Sequence, residues 1–261
     1  MLKSLNTAAT GMAAQQTNMD VIANNIANVS TTGFKKSRAE FEDLMYQTQK
    51  EPGSASGLNA TSPNGVQVGL GVRTAAVQKD FNMGNASVTK NPLDLQIEGN
   101  GFFQVQLEDG TIGYTRDGSF KKDPSGKVVD KNGNSLIPEI TIPPQISGIE
   151  IGPTGEVKVI SNLADAPQTI GQIDIVNFVN PAGLKAMGKN VFTQTPSSGQ
   201  AIAQRPGSNG TGYLAQGQVE TSNVNIVDEM VGMITAQRAY ETNSKVVQAA
   251  DQMLQTVNSM R

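Results

Sequence analysis

Paired carboxylates are the first side chains in this sequence that could do chemistry. Glu108-Asp109 and Asp228-Glu229 each set two acids side by side, the minimum for general acid–base work. Gly110 follows the first pair and makes it a hairpin tip. Asn225 stands three residues before Asp228, so a helix N-cap and the helix dipole account for the second pair. Asp123, Asp130, Asn132 and Asn134 carry the oxygen ligands that calcium takes, but their spacing is not that of an EF-hand, and Pro124 and Gly126 fit a turn. Gly69-Leu70-Gly71 and Gly99-Asn100-Gly101 could cradle a phosphate, yet neither completes G-x-G-x-x-G or opens an amphipathic helix. Lys35, Lys36 and Arg38 form a basic patch too small to mark nucleic-acid binding. It is expected to pair with Glu40, Glu42 and Asp43 of neighbouring copies. With no Cys and no His, Ser-His-Asp and Cys-His catalysis, disulfides and the usual zinc sites are excluded. No catalytic, cofactor-binding or metal-binding residue is nominated, and no small-molecule substrate or cofactor is expected.

The elements that would position any site come from composition and periodicity. The 261 residues are 37% hydrophobic, 5% aromatic and 16% charged, with 27 Gly and no Trp. That allows a thin core rich in Val and Ile, and low charge argues against disorder throughout. Twenty basic against 23 acidic residues, a net charge of −3, give no bulk attraction to nucleic acid or anionic membrane. No apolar run is long enough to span a bilayer, and the first residues lack the apolar stretch of a cleaved signal.

The two ends read as helices. Leu2, Leu5, Ala9, Met12, Gln16, Met19, Ala23 and Ile26 follow 3-4 spacing, a heptad seam that only Gln16 interrupts. The helix should stop near Asn28, before Ser30-Thr31-Thr32-Gly33. At the other end Ile226, Met230, Met233, Tyr240, Val247, Leu254 and Val257 recur at helical spacing almost to Arg261. Phe34–Tyr46 fits helix or strand equally well. The middle is different in kind. Short alternating runs such as Phe103–Leu107, Ile112–Arg116 and Glu156–Ile160 lie between turns at Asp109-Gly110, Asp117-Gly118, Pro124–Gly126 and Asn132-Gly133. Stretches 47–71 and 196–212, rich in Gly, Ser, Asn and Pro, read as linkers.

The expected fold is therefore α+β. Long N- and C-terminal helices pair as a coiled-coil-like layer, and a central antiparallel β domain projects outward. The expected divisions are an N-terminal helix and motif at 1–46, an extended segment at 47–90, a β domain at 91–215 and a C-terminal helix at 216–261. Isolated helices are marginal in water, so both tails are expected to be largely unfolded in the free chain and to fold when copies pack.

The run Asn18–Lys35 resembles the N-terminal motif shared by bacterial flagellar rod and hook axial proteins. The runs Gln218–Asn225 and Gln237–Lys245 resemble the matching C-terminal motif. Phe41–Gln47, Gly101–Val105, Tyr114–Phe120 and Asp251–Gln255 point, within that family, to subunits of the distal rod. The resemblance implies a non-enzymatic protein, exported unfolded through the flagellar type III apparatus without a cleaved signal. It would polymerise as a helical tube in the basal body, crossing the periplasm to the outer membrane. The implied partners are further copies of the chain, proximal rod proteins, the hook or hook–rod junction, and the P-ring and L-ring bushings. The Tyr46–Gly71 stretch resembles a rod-specific segment that stiffens the tube. The expected assembly interface is Leu2, Leu5, Ala9, Met12, Met19, Ala23, Asn24, Asn25, Ile26, Asn28, Gly33, Phe34, Ile226, Met230, Met233, Tyr240, Val247 and Leu254. Asn24, Asn25 and Asn28 would satisfy polar surface buried between copies. The readings it competes with are a proximal rod or hook-type subunit, a secreted adhesin or surface fibre, and a peptidoglycan hydrolase, for which no carboxylate pair escapes a turn or cap.

Overall fold

The computed structural model describes residues 2–52, 55–57, 60–61, 64–144, 146–161, 167–208 and 210–259. The chain is α+β, with a helix at each end and a β-rich middle. Its two compact units are interleaved in sequence. One combines Met1–Ala27, Ser37–Gln78 and Asn225–Arg261; the other combines Asn28–Lys36 with Lys79–Val224.

In the helical unit, α1 spans Leu2–Ala27 and α2 spans Ile226–Ser259. Asn225 caps α2: its Oδ1 accepts the Val227 N–H at 3.1 Å, and Asp228 and Glu229 occupy the first turn, where the dipole favours acids. The two helices pack antiparallel. A Cβ on Gly11 would meet Asn243, Ile22 reaches Gly232, and Asn25 donates to Glu229, so partners descend α2 as they ascend α1. Ala8, Ala14 and Ile22 are buried on α1, and Ala236 and Ala250 on α2, where the alanines let backbones approach.

The same unit holds a long β-ribbon. Ser37–Asp43 pairs with Val72–Lys79, Tyr46–Lys50 pairs antiparallel with Val66–Gly69, and Ala55–Gly57 pairs with Ala60–Thr61. Phe34–Tyr46, which fitted helix or strand, is thus mostly strand. Among the described residues of stretch 47–71, read as a linker, are strands: its alternating Val66-Gln67-Val68 pairs with Tyr46–Lys50. Every residue of Tyr46–Lys50 is exposed, and the ribbon has no third strand among the described residues.

The β unit is centred on strand Phe102–Gln106. It pairs with Ile112–Thr115 along one edge, and with Ser135–Ile137 and Ile175–Asn177 along the other. Successive side chains point to opposite faces of a strand, so Phe102 and Phe103 enter different cores. Phe103 packs with Val105, Leu95, Ile97, Phe120, Leu136 and Ile175. Phe102 packs with Tyr114, Val176, Phe178, Leu184 and Phe192. The second cluster is largely aromatic, built from edge-to-face contacts such as Tyr114–Phe178 at 4.8 Å, and is richer than the Val/Ile core expected from composition. Stretch 196–212, also read as a linker, holds ordered structure among its described residues. Ile202–Gln204 pairs with Ile175–Asn177, and Ser198 is fully buried.

Candidate assembly surface and a buried ionic clasp

The segment after α1 builds the most polar buried site in the β unit. Gly33 has φ +66°, and a Cβ there would lie 2.6 Å from the Asp117 backbone nitrogen, so glycine is required. Its N–H donates to the Glu220 carbonyl at 2.8 Å. Thr32 Oγ1 donates to Asp117 Oδ1 at 3.1 Å, and Asn190 Nδ2 donates to the Thr32 carbonyl at 2.8 Å. Phe34 is buried beneath the Lys79 ammonium, 5.1 Å above its ring. Lys35 Nζ, wholly enclosed, donates to Glu220 Oε1 at 2.6 Å and to the Asn82 carbonyl at 2.7 Å. The Gly84 N–H donates to the same carboxylate oxygen at 2.7 Å, and Arg116 Nε stands 3.2 Å from Oε2. The Arg116 fork also donates to the Gly101 and Gly99 carbonyls, both at 2.8 Å. Asn223 completes the arrangement by accepting the Lys36 N–H and donating to the Asp80 and Asn82 carbonyls. Segments 33–36, 80–84 and 220–223 are thereby tied at one point.

This clasp holds two cations against one anion. Burial, reinforced by the Arg116 charge, lowers the Lys35 pKa below its ordinary value, and Glu220 opposes the shift. Burial also lowers the Arg116 pKa against the pull of Glu220. The three side chains are enclosed, so the arrangement braces a fold. Among the described residues no group of three metal-ligating side chains exists. No helix among them is long and apolar enough to cross a membrane.

The expected interface residues divide by exposure. Gly33 and Phe34 are buried in the β unit, where they make contacts within the chain. Asn25, 1% exposed, is likewise spent internally: it donates to the Ser37 carbonyl at 2.8 Å and accepts the Ser37 N–H at 2.9 Å. Within the chain the basic patch pairs Lys35 with Glu220, Lys36 with Asp80 and Arg38 with Glu40. On α1, Ala9, Ala23 and Asn24 are exposed, while Leu5, Met12, Met19 and Ile26 are half-buried; Asn28, just past its end, is half-buried too. The Leu2 and Val257 side chains and Arg261 lie outside the described residues. On α2, Met233, Val247 and Leu254 are half-buried, whereas Ile226, Met230 and Tyr240 are exposed. Sequence reasoning missed Val227, Val231, Ile234, Val246 and Met253, exposed apolar residues on the same helix. Val227, Val231 and Ile234 keep i, i+4, i+7 spacing, a second stripe visible in the sequence beside the period-seven one.

The structure thus sets a helix that keeps large apolar side chains in solvent beside a buried ionic clasp, an arrangement of structural elements. The chain belongs to the FlgG family of flagellar basal-body rod proteins. A model of the flagella basal body rod protein family matches residues 5–35, the flagellar hook protein FlgE/F/G D1 domain matches 96–159, and the flagellar basal body rod FlgEFG protein C-terminal model matches 215–260. The chain is 51% identical to the flagellar basal-body rod protein FlgG of Buchnera aphidicola from Schizaphis graminum, over the whole of both chains. It is 49% identical to that of Borreliella burgdorferi, over 100% of this chain and 99% of the other. It is 47% identical to that of Caulobacter vibrioides, over all of both. The chain is a structural component of the flagellar rod.

Proposed function

We infer that copies of this chain polymerise into the straight distal rod, the shaft that carries torque to the hook. The observation that carries the reading is the unpartnered apolar surface of α2: Val227, Met230, Val231, Ile234 and Met253 are each at least half exposed. Burying each would gain roughly 1.5–3 kcal/mol, and contacts that repeat without closing produce a tube. In this reading α1 and α2 form a coiled-coil-like inner layer around an export channel and the β unit faces outward. The assembly interface is Leu2, Leu5, Ala9, Met12, Met19, Ala23, Asn24, Ile26, Asn28, Ile226, Met230, Met233, Tyr240, Val247 and Leu254, joined by Val227, Val231, Ile234, Val246 and Met253.

The two-stranded ribbon supports the stiffening role of the Tyr46–Gly71 stretch. A lone two-stranded ribbon is marginal in water, and this one exposes Met45, Tyr46, Val66 and Val68. Wedged between neighbours, it gains contacts and resists their sliding. The remaining partners are the proximal rod, the hook or hook–rod junction, the P-ring and L-ring and the type III export apparatus. The site of action is the basal body from periplasm to outer membrane, reached without a cleaved signal.

Electron microscopy of the concentrated, purified chain tests the reading: straight tubes are expected. Loss of residues 1–27 should abolish polymer and swimming, and normal polymer from that truncation would overturn the helical-layer reading. Deleting Pro52–Pro63, a stretch partly outside the described residues, should leave export intact and give a curved, flexible polymer. Straight rods from that deletion would overturn the stiffening role.

A further inference from the structure

The β unit carries an open pocket with room for about 230 Å³, lined by Phe81, Asn100, Phe102, Arg116, Asn177 and Val179 among others. That is smaller than the ~300–1,000 Å³ of a drug-sized ligand site and suits one or two side chains. Its one charged wall is cationic. Arg116 is 3% exposed, and behind it Lys35 and Arg116 share the single carboxylate of Glu220. A guanidinium has five N–H donors in a fixed fork. Gly101 and Gly99 each accept one N–H from a terminal nitrogen, and Glu220 pairs with Nε as an ion pair at 3.2 Å, so each terminal nitrogen keeps a second N–H that these contacts do not use. The site therefore favours a carboxylate.

The same sheet supplies one. Glu108-Asp109-Gly110 forms the exposed tip between Phe102–Gln106 and Ile112–Thr115. The Leu107 and Thr111 backbones close the turn, and nothing lies within 4 Å of a Cβ placed on Gly110. Asn100, Gly101 and Phe102 of the pocket lie at the start of the central strand, and this acidic tip lies beyond its end. At about 3.3 Å per residue, roughly 20 Å of rigid sheet separates them. The tip cannot reach the pocket of its own chain. A donor and an acceptor at opposite ends of one rigid body make a heterologous contact that repeats without closing.

We propose that the Glu108–Asp109 tip of one copy seats its carboxylates in the Arg116 pocket of the next, a head-to-tail contact between β units. The proposal rests on the self-assembly reading above and adds a second, polar contact to the apolar one on α2.

The chain has no Cys, so Val179→Cys with Asp109→Cys introduces the only thiols. Both sites are exposed, and too far apart within one chain for a bond that needs Cα atoms within about 7 Å. Oxidised polymer of the double variant should run as a covalent ladder, and either single variant, which places only one thiol at each contact, should run as monomer. In a second arm, Val179→Glu, and separately Glu108→Lys with Asp109→Lys, should each cut polymer yield about tenfold, while the three changes together restore most of it. Straight polymer with no ladder and no effect of charge reversal overturns this contact and leaves the rod reading standing. An unaltered chain that never polymerises overturns both.

Discussion

The helical unit and the β unit solve opposite problems. The β unit closes on itself. It buries two apolar clusters on the faces of one sheet, and it encloses Lys35, Arg116 and Glu220 with a hydrogen-bond partner for each. The helical unit stays open. α1 and α2 meet through small residues, while the larger side chains of α2, Val227, Met230, Val231, Ile234 and Met253, remain in solvent. One chain thus combines a region whose core and clasp are complete within the chain with a region that leaves its apolar surface open. Fold stability and the apolar contact between copies fall on different residues, and substitutions should separate them.

The largest expected effect lies on the open side. Val231→Glu with Ile234→Glu places charges in the apolar stripe and should abolish polymer, because desolvating unpaired charge costs several kcal/mol per contact. The thermal transition of the β unit should not move. Sedimentation and calorimetry on one preparation check both halves, and a β unit that melts with the stripe would break the division. On the closed side, Glu220→Gln should cost about 3–5 kcal/mol, since it leaves two buried cations without their anion. Lys35→Met should cost far less, because Arg116 and Glu220 then match one to one. Urea unfolding of the two variants measures that asymmetry, and equal losses would show that the charge imbalance has no weight. Gly33→Ala should come next, at about 1–3 kcal/mol, from backbone strain at positive φ and a clash with the Asp117 backbone. Its loss should also show in the β unit, not in helix content.

The same division decides what could be read from the residues. Local signals carried far. Asn225 predicts the α2 cap, Asn132-Gly133 and Asp109-Gly110 predict hairpin turns, and 3.6-residue spacing predicts both helices. Non-local partners did not announce themselves. Tyr46-Gln47-Thr48 reads as a polar linker until Val66-Gln67-Val68, some twenty residues on, pairs with it. Lys35 reads as surface charge because its partner Glu220 is 185 positions away. The motif Asn18–Lys35 is specific enough to name a family, yet its Gly33, Phe34 and Lys35 are buried within the chain; a motif shows that residues matter and not which surface they serve. The exposed stripe on α2 was half legible. Period-seven spacing picks out Ile226, Met233 and Tyr240, but which apolar stripe α1 covers depends on the rotation of the pair, and no single-helix pattern fixes that.

The smallest expected effect sharpens the closed side further. Lys35 has a lowered pKa in the folded chain because burial and Arg116 outweigh Glu220 and Asp80. Between that lowered value and the ordinary lysine value of 10.5, the unfolded chain holds a proton at this position that the folded chain has released. Stability rises with pH wherever the unfolded state binds more protons. The β unit should therefore gain stability with increasing pH across that window, relative to Lys35→Met, which lacks the group. A tenfold change in proton affinity is worth about 1.4 kcal/mol, so the difference between the two proteins should be modest but of fixed sign. Urea titrations of both at several pH values approaching 10.5 read it directly. A difference of the opposite sign would mean that Glu220 alone governs Lys35, and the clasp would then act as a simple ion pair, with Arg116 as a bystander.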